Sequence, residues 1–233
     1  MDSIAGGGGL ITVPVLLGIG LPPQLALGTN KFQACFGSFT ASANYVRRGG
    51  VSLKESRAGI FFTFVGAALG TVAVQVMDPA ILSRVIPFLL LGIVAYSLLS
   101  PKIGEGDIRP RMKPLPFYAI FGLAIGFYDG FFGPGTGSFW TMAFLLGLGF
   151  NLAKAAGFTK VMNFTSNIVS FALFLAGGHV SFALGAAMAV GEIAGARLGS
   201  SLVIAKGARF VRPVFIGVVV LTTAKLLYDW WLK

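Results

Sequence analysis

Two short stretches of the chain combine glycine-rich breaks with polar residues that an apolar helix does not need. In "DSIAGGGGLITVP", Gly6, Gly7, Gly8 and Gly9 precede a short apolar run; in "GFYDGFFGPGTGSFW", Gly133, Gly135, Thr136, Gly137 and Ser138 do the same. The first turn of a helix leaves amide donors without acceptors and carries about half a positive charge. Glycine lets an anion approach that backbone closely, so each break reads as an anion site. Close packing of a hairpin against its neighbours is the plainer reading, and the two are compatible. No Gly-Lys-Ser/Thr follows either break, which argues against a nucleotide phosphate loop.

The segment after each break adds polar groups at helical spacing. In "ALGTNKFQACFGSFTASANY", Asn30, Gln33, Gly37, Thr40 and Asn44 fall on one face; in "AAGFTKVMNFTSNIVSF", Lys160, Asn163, Asn167 and Ser170 do. A lysine inside a membrane helix costs about 2.5–3.5 kcal/mol on insertion scales unless it snorkels or pairs. Lys31 and Lys160, each beside a glycine break and a polar face, suit a small anion; snorkelling is the alternative. Asp129 and Asp2, just ahead of the breaks, and Glu192 are candidates for coupling, because intramembrane acids relay protons. Asp129 also suits a capping role, and Glu192 a mutual ion pair with Arg197. The sequence implies no cofactor: one histidine and one cysteine are too few for a zinc site, which takes about four ligands. The lone His179 lies far along the chain from Ser138, which argues against a serine enzyme.

The elements that position these residues are membrane helices. The chain has 233 residues, 55% hydrophobic and 11% charged, against about 25% charged in a soluble domain. Its mean hydropathy is +0.83. Stretches 25–46, 58–77, 80–100, 155–176, 180–204 and 210–231 are long enough to span a bilayer, which takes about 20 residues of helix. Stretches 10–21, 115–132 and 138–150 are short and flank the glycine breaks. The net charge of +10 lies mostly in short loops. That pattern sets orientation in a bilayer and gives no reason to expect nucleic acid.

The chain repeats at a shift of 129. Gly6, Gly8, Leu16, Leu17, Gly18, Gly20, Ala26, Gly28, Lys31, Gly49, Val51 and Ser52 all meet identical residues. Basic loops swap sides between the copies. Arg47, Arg48, Lys54 and Arg57 lie in 47–57, whose mate 176–186 has no Lys or Arg. Lys206, Arg209 and Arg212 lie in 205–212, whose mate 76–83 has none. By the positive-inside rule the two copies face opposite ways, as in inverted-repeat transporters. The expected fold is therefore an all-α polytopic membrane protein with two homologous halves in inverted repeat. Residues 1–100 and 115–233 are joined by a cytoplasmic linker, 101–114, and each half has a broken or re-entrant helical hairpin plus three transmembrane helices. The first arm of the first hairpin has no counterpart after Met1, so an N-terminal truncation is expected.

"DSIAGGGGLITVP", "GLPPQLALGTNK", "GFYDGFFGPGTGSF" and "FTKVMNFTSN" resemble the TauE/SafE family of sulfite and sulfonate exporters, the toluene sulfonate uptake permease family, over nearly the whole chain. The resemblance implies a multi-pass permease of the bacterial cytoplasmic membrane with a duplicated core, acting on small sulfur-containing anions. The expected function is a secondary transporter of small anions, sulfite or organosulfonates; the alternative is a channel or an assembly subunit of another membrane complex. The expected partners are the lipid bilayer and a small anionic substrate.

Overall fold

The computed structural model describes residues 8–99 and 109–206. Helix α1 (Gly8–Gly18) is short; α2 (Pro23–Arg47), α3 (Leu53–Gln75) and α4 (Pro79–Leu99) follow. Next comes α5 (Pro114–Phe117), continued through a π turn (Tyr118–Gly122) into α6 (Leu123–Phe131). Then come α7 (Thr136–Gly147), α8 (Leu152–Ala176) and α9 (Phe182–Lys206). The stretch 210–231 lies outside the described residues, as do most of the linker, Asp2, Gly6 and Gly7.

Local signals set the ends. Pro23 opens α2 at a position where the missing N–H costs nothing. Ser52 caps α3 by accepting from the Glu55 amide, three residues on. The Asn151 side chain accepts from the Lys154 amide at the start of α8, at 2.9 Å.

The helix bounds repeat under the same shift of 129. Adding 129 to Pro23–Arg47 gives 152–176, the bounds of α8. α3 maps onto α9 within two residues, and α1 onto α7 within one. The contacts repeat reciprocally as well. A Cβ at Gly28 would strike Phe174 of α8, and one at Gly157, its mate, would strike Tyr45 of α2, the mate of Phe174. Asn167 donates to its own mate, Ser38, at 3.3 Å. Thr12 bonds Asn30 and the Gly8 carbonyl; their mates Thr141, Thr159 and Gly137 make the corresponding contacts. Such i-to-j and j-to-i pairing is what a two-fold relation produces. It also fixes direction: Gly28 lies by Phe174 and Gly157 by Tyr45, so the mates α2 and α8 run antiparallel.

Burial is inside out relative to a soluble protein. α2 buries Gln24, Thr29, Asn30, Lys31, Gln33 and Ser38 and exposes Phe36 and Phe39; α8 buries Thr159, Lys160, Asn163, Ser166, Asn167 and Ser170 and exposes Ile168 and Leu175. Phe61, Phe64, Leu69 and Val72 of α3 are exposed too, as are Val190, Ile193 and Leu198 of α9. A water-soluble monomer rarely shows so wide an apolar surface. Among the described residues, Leu53–Gln75 and Phe182–Leu202 are both long and apolar enough to cross a membrane on their own, at mean hydropathies of 1.7 and 1.2. α2 and α8 are 25 residues each, or about 37 Å at 1.5 Å per residue, but their buried polar faces lower their hydropathy. Length therefore qualifies more stretches as spans than hydropathy does.

Small residues set the closest packing. Cβ atoms at Gly66 and Gly70 of α3 would strike carbonyls of Leu123 and Phe127 on α6, and one at Gly130 would strike the Ala67 carbonyl. Thr71 Oγ1 donates within this seam, with the Gly130 carbonyl at 3.1 Å and Ser170 of α8 at 2.8 Å. α6 is thereby held against α3 and α8, which fixes where its C-terminal end, with Asp129, can sit.

Candidate functional site

The chain reverses between α6 and α7 at residues 132–135. Gly133 and Gly135 adopt φ of +98° and +82°, the left-handed region that other residues avoid. Tyr128 braces the turn by donating to the Pro134 carbonyl at 2.7 Å. The amides of Thr136 and Ser138 donate back to the Gly133 and Gly135 carbonyls. Across from this tip stands the start of α1: a Cβ at Gly9 would lie 3.3 Å from Pro134 and 3.5 Å from Asn30 Nδ2. The two glycine breaks, 129 residues apart in the repeat, therefore meet.

Between them is a small cavity of about 30 Å³, partly open to the outside. At about 10–15 Å³ per water, that is room for two or three water-sized groups. Gly8 and Gly9 line it from α1, and Asn30, Lys31 and Gln33 from α2. Asp129 and Gly133 come from the α6 end and tip, Thr136 and Gly137 from α7, Asn163 and Asn167 from α8, and Glu192 from α9. Six separate helices thus converge on one polar cavity inside an apolar shell.

Its centre is an ion pair. Lys31 Nζ donates to Asp129 Oδ1 at 2.5 Å, with both side chains almost fully buried. Lys31 also donates to Asn167 Oδ1 at 3.3 Å, and Ser166 donates its hydroxyl to the other Asp129 oxygen. Gly133 makes room for the pair, since a Cβ there would lie 2.8 Å from Lys31 Nζ and 3.1 Å from Asp129 Oδ1. Gln33 Nε2 donates to Asn30 Oδ1 at 3.1 Å, while the buried Gln33 Oε1 and Asn163 Oδ1 carry no hydrogen-bond partner.

Of the residues picked from sequence, Gly8, Gly9, Asn30, Lys31, Thr136, Gly137, Asn163, Asn167, Asp129 and Glu192 share this cavity. Lys160 is buried but does not line it; Gly135 shapes the tip, and Ser138 continues α7. Gly6, Gly7 and Asp2 lie outside the described residues. Lys31 does not snorkel but is held inside by Asp129. Glu192 lines the cavity, whereas Arg197, five positions on along α9, is exposed. Lower on α2, Asn44 reaches Ser200 and Ser201 of α9, and Thr40 bonds its own helix. His179 bonds Gln75 at the far end of α3. Sequence reasoning missed Thr12, Ser166 and the Lys31–Asp129 pairing. Opposite charges within apolar segments were the signal for the pair, because a charge inside a membrane needs a partner.

Comparison with known proteins gives a consistent picture. The family model described as sulfite exporter TauE/SafE matches residues 1–226. A probable membrane transporter protein of Haemophilus influenzae is 48% identical over 98% of this chain and 90% of its own length. The probable membrane transporter protein YfcA of Escherichia coli K12 is 49% identical, over 98% and 85%. The probable membrane transporter protein ORF9 of a Sinorhizobium species is 42% identical, over 98% and 88%. No solved structure matches.

Proposed function

The chain belongs to the sulfite exporter TauE/SafE family, and from that membership we propose that it is a multi-pass permease for small anions, sulfite or organosulfonates, in the bacterial cytoplasmic membrane. It is a membrane transporter and not an enzyme. The observation that carries the anion reading is the meeting of the two glycine breaks over Lys31. Two helix N-termini and a lysine converge there in a buried polar cavity, the arrangement that broken-helix transporters use for anionic groups. No nucleotide phosphate motif is present, so an ion gradient or the anion's own gradient drives transport.

The halves 1–100 and 115–233, joined by a cytoplasmic linker at 101–114, act as inverted repeats. Swapped basic loops support this, and so does the antiparallel packing of the mates α2 and α8, because mated helices that run opposite ways across a bilayer have opposite topology. The halves rock around the cavity, with Gly8 and Gly9 on one wall and Thr136 and Gly137 on the other. Asn30, Asn163 and Asn167 donate to anion oxygens alongside Lys31. Lys160, the mate of Lys31, takes the corresponding place when the cavity opens to the opposite face. Asp129, Asp2 and Glu192 are the carboxylates available for coupling.

A thermal-unfolding screen of the purified protein tests the reading. Sulfite, methanesulfonate, sulfate and acetate are each added, with chloride as reference. A ligand at 100 times its Kd stabilises by about 2.7 kcal/mol, or roughly 5–11 °C for a chain of this size. A shift of that order with sulfite or methanesulfonate, absent with chloride, is expected. Equal shifts with all five, or none, contradict the assignment.

A further inference from the structure

We infer that Asp129 couples anion binding to proton binding, so that the protein carries a small anion and a proton together. The inference rests on the anion reading of the cavity. Among the described residues, the cation on the cavity wall that an anion at the glycine tips would engage is the Lys31 ammonium, which is already held by Asp129 at 2.5 Å. The carboxylate and the anion are rivals for the same charge. Protonating Asp129 with a proton from bulk water removes the rival and leaves Lys31 its full charge. Conversely, an anion on Lys31 withdraws the group that stabilises ionised Asp129. Binding of anion and proton is therefore mutually favourable, and by linkage each strengthens the other equally.

The surroundings suit a carboxyl that cycles between the two states. Ser166 faces one Asp129 oxygen through its hydroxyl, and a hydroxyl can donate to a carboxylate or accept from a carboxylic acid. Asn167 holds Lys31 from the other side at 3.3 Å, so the ammonium keeps a partner when Asp129 lets go. Gly133 leaves room beside both groups.

The titratable and charged groups around Asp129 are few. α2 supplies Lys31 and Cys35, α8 supplies Lys160, and α6 itself supplies Tyr128. Glu192 of α9 is the other carboxylate on the cavity wall. α1 and α7 contribute none, and the length of α3 from Gly59 to Gln75, which includes its seam with α6, holds none. Glu192 is thus the rival candidate for the proton.

Calorimetric titration of the purified full chain with methanesulfonate, which does not itself titrate near neutral pH, separates these possibilities. It is run in two amine buffers of different ionisation enthalpy and over a range of pH. The wild type should take up close to one proton per anion wherever Asp129 is ionised, with affinity falling about tenfold per pH unit. Asp129→Asn should bind with no proton uptake and a flat pH profile, whereas Glu192→Gln should keep the uptake. If Asp129→Asn cannot be purified, the stoichiometries of wild type and Glu192→Gln still decide the matter. Wild-type binding without proton uptake overturns the proposal, as does uptake lost in Glu192→Gln. No methanesulfonate binding at all contradicts the anion reading itself, a result distinct from binding without a proton.

Discussion

The buried Lys31–Asp129 pair makes a stability prediction that does not depend on transport. Both side chains are nearly inaccessible, at 2% and 4% exposure, so solvent screens the pair little. Removing one partner of a buried pair costs about 3–5 kcal/mol, while removing both together is often close to neutral. The structure also ranks the single variants. In Lys31→Met, Asp129 keeps Ser166 as a donor but loses its countercharge. In Asp129→Asn, the new amide can still accept from Lys31 and face Ser166, so the ammonium retains that contact and Asn167. Lys31→Met should therefore be the less stable, at the upper end of that range. For a chain of 233 residues, about 3–5 kcal/mol lowers Tm by roughly 6–20 °C. The assay is thermal unfolding in detergent of wild type, both single variants and Lys31→Met/Asp129→Asn. The double variant should melt above Lys31→Met and within a few degrees of wild type. A double variant that melts as low as the two single losses added together would refute the pairing.

Three further outcomes follow from the same geometry. Gly133→Ala places a side chain at φ +98° and against both members of the ion pair; backbone strain of about 1–3 kcal/mol should lower Tm modestly, while flux in proteoliposomes falls much further. Gly130→Leu drives a side chain into the Ala67 carbonyl and breaks the Thr71 contact. Overpacking of about 1–3 kcal/mol should lower Tm in thermal unfolding in detergent. Gln33→Glu adds a negative charge to the cavity wall, which at about 4 Å and intermediate dielectric is worth up to roughly 4 kcal/mol. Anion affinity in calorimetry should fall by at least about tenfold, whereas Gln33→Met should lose less.

The elements were legible as long apolar runs: stretches 25–46 and 155–176 are kept as Pro23–Arg47 and Leu152–Ala176, whose bounds differ by the shift of 129. Helical periodicity grouped Asn30 with Gln33 and Asn163 with Asn167, and those groups do line one cavity. What periodicity does not carry is contact between helices. Lys31 and Asp129 are 98 residues apart, and their pairing depends on how α6 docks on α3 and α8. The symmetry of the sequence also suggested that Lys31 and Lys160 share one site. The structure places Lys31, and not Lys160, on the cavity wall. Hydropathy undervalued α2 and α8 for a related reason: helices that build a polar interior pay in apolar residues on one face.

Flux tests the transport reading most directly. Purified protein in proteoliposomes should take up radiolabelled sulfite saturably, and a proton gradient should drive the anion in the direction the protons move. Lys31→Gln/Lys160→Gln should lose most of that flux. Flux that does not saturate and ignores the proton gradient, or a double lysine variant that transports as well as wild type, would contradict it.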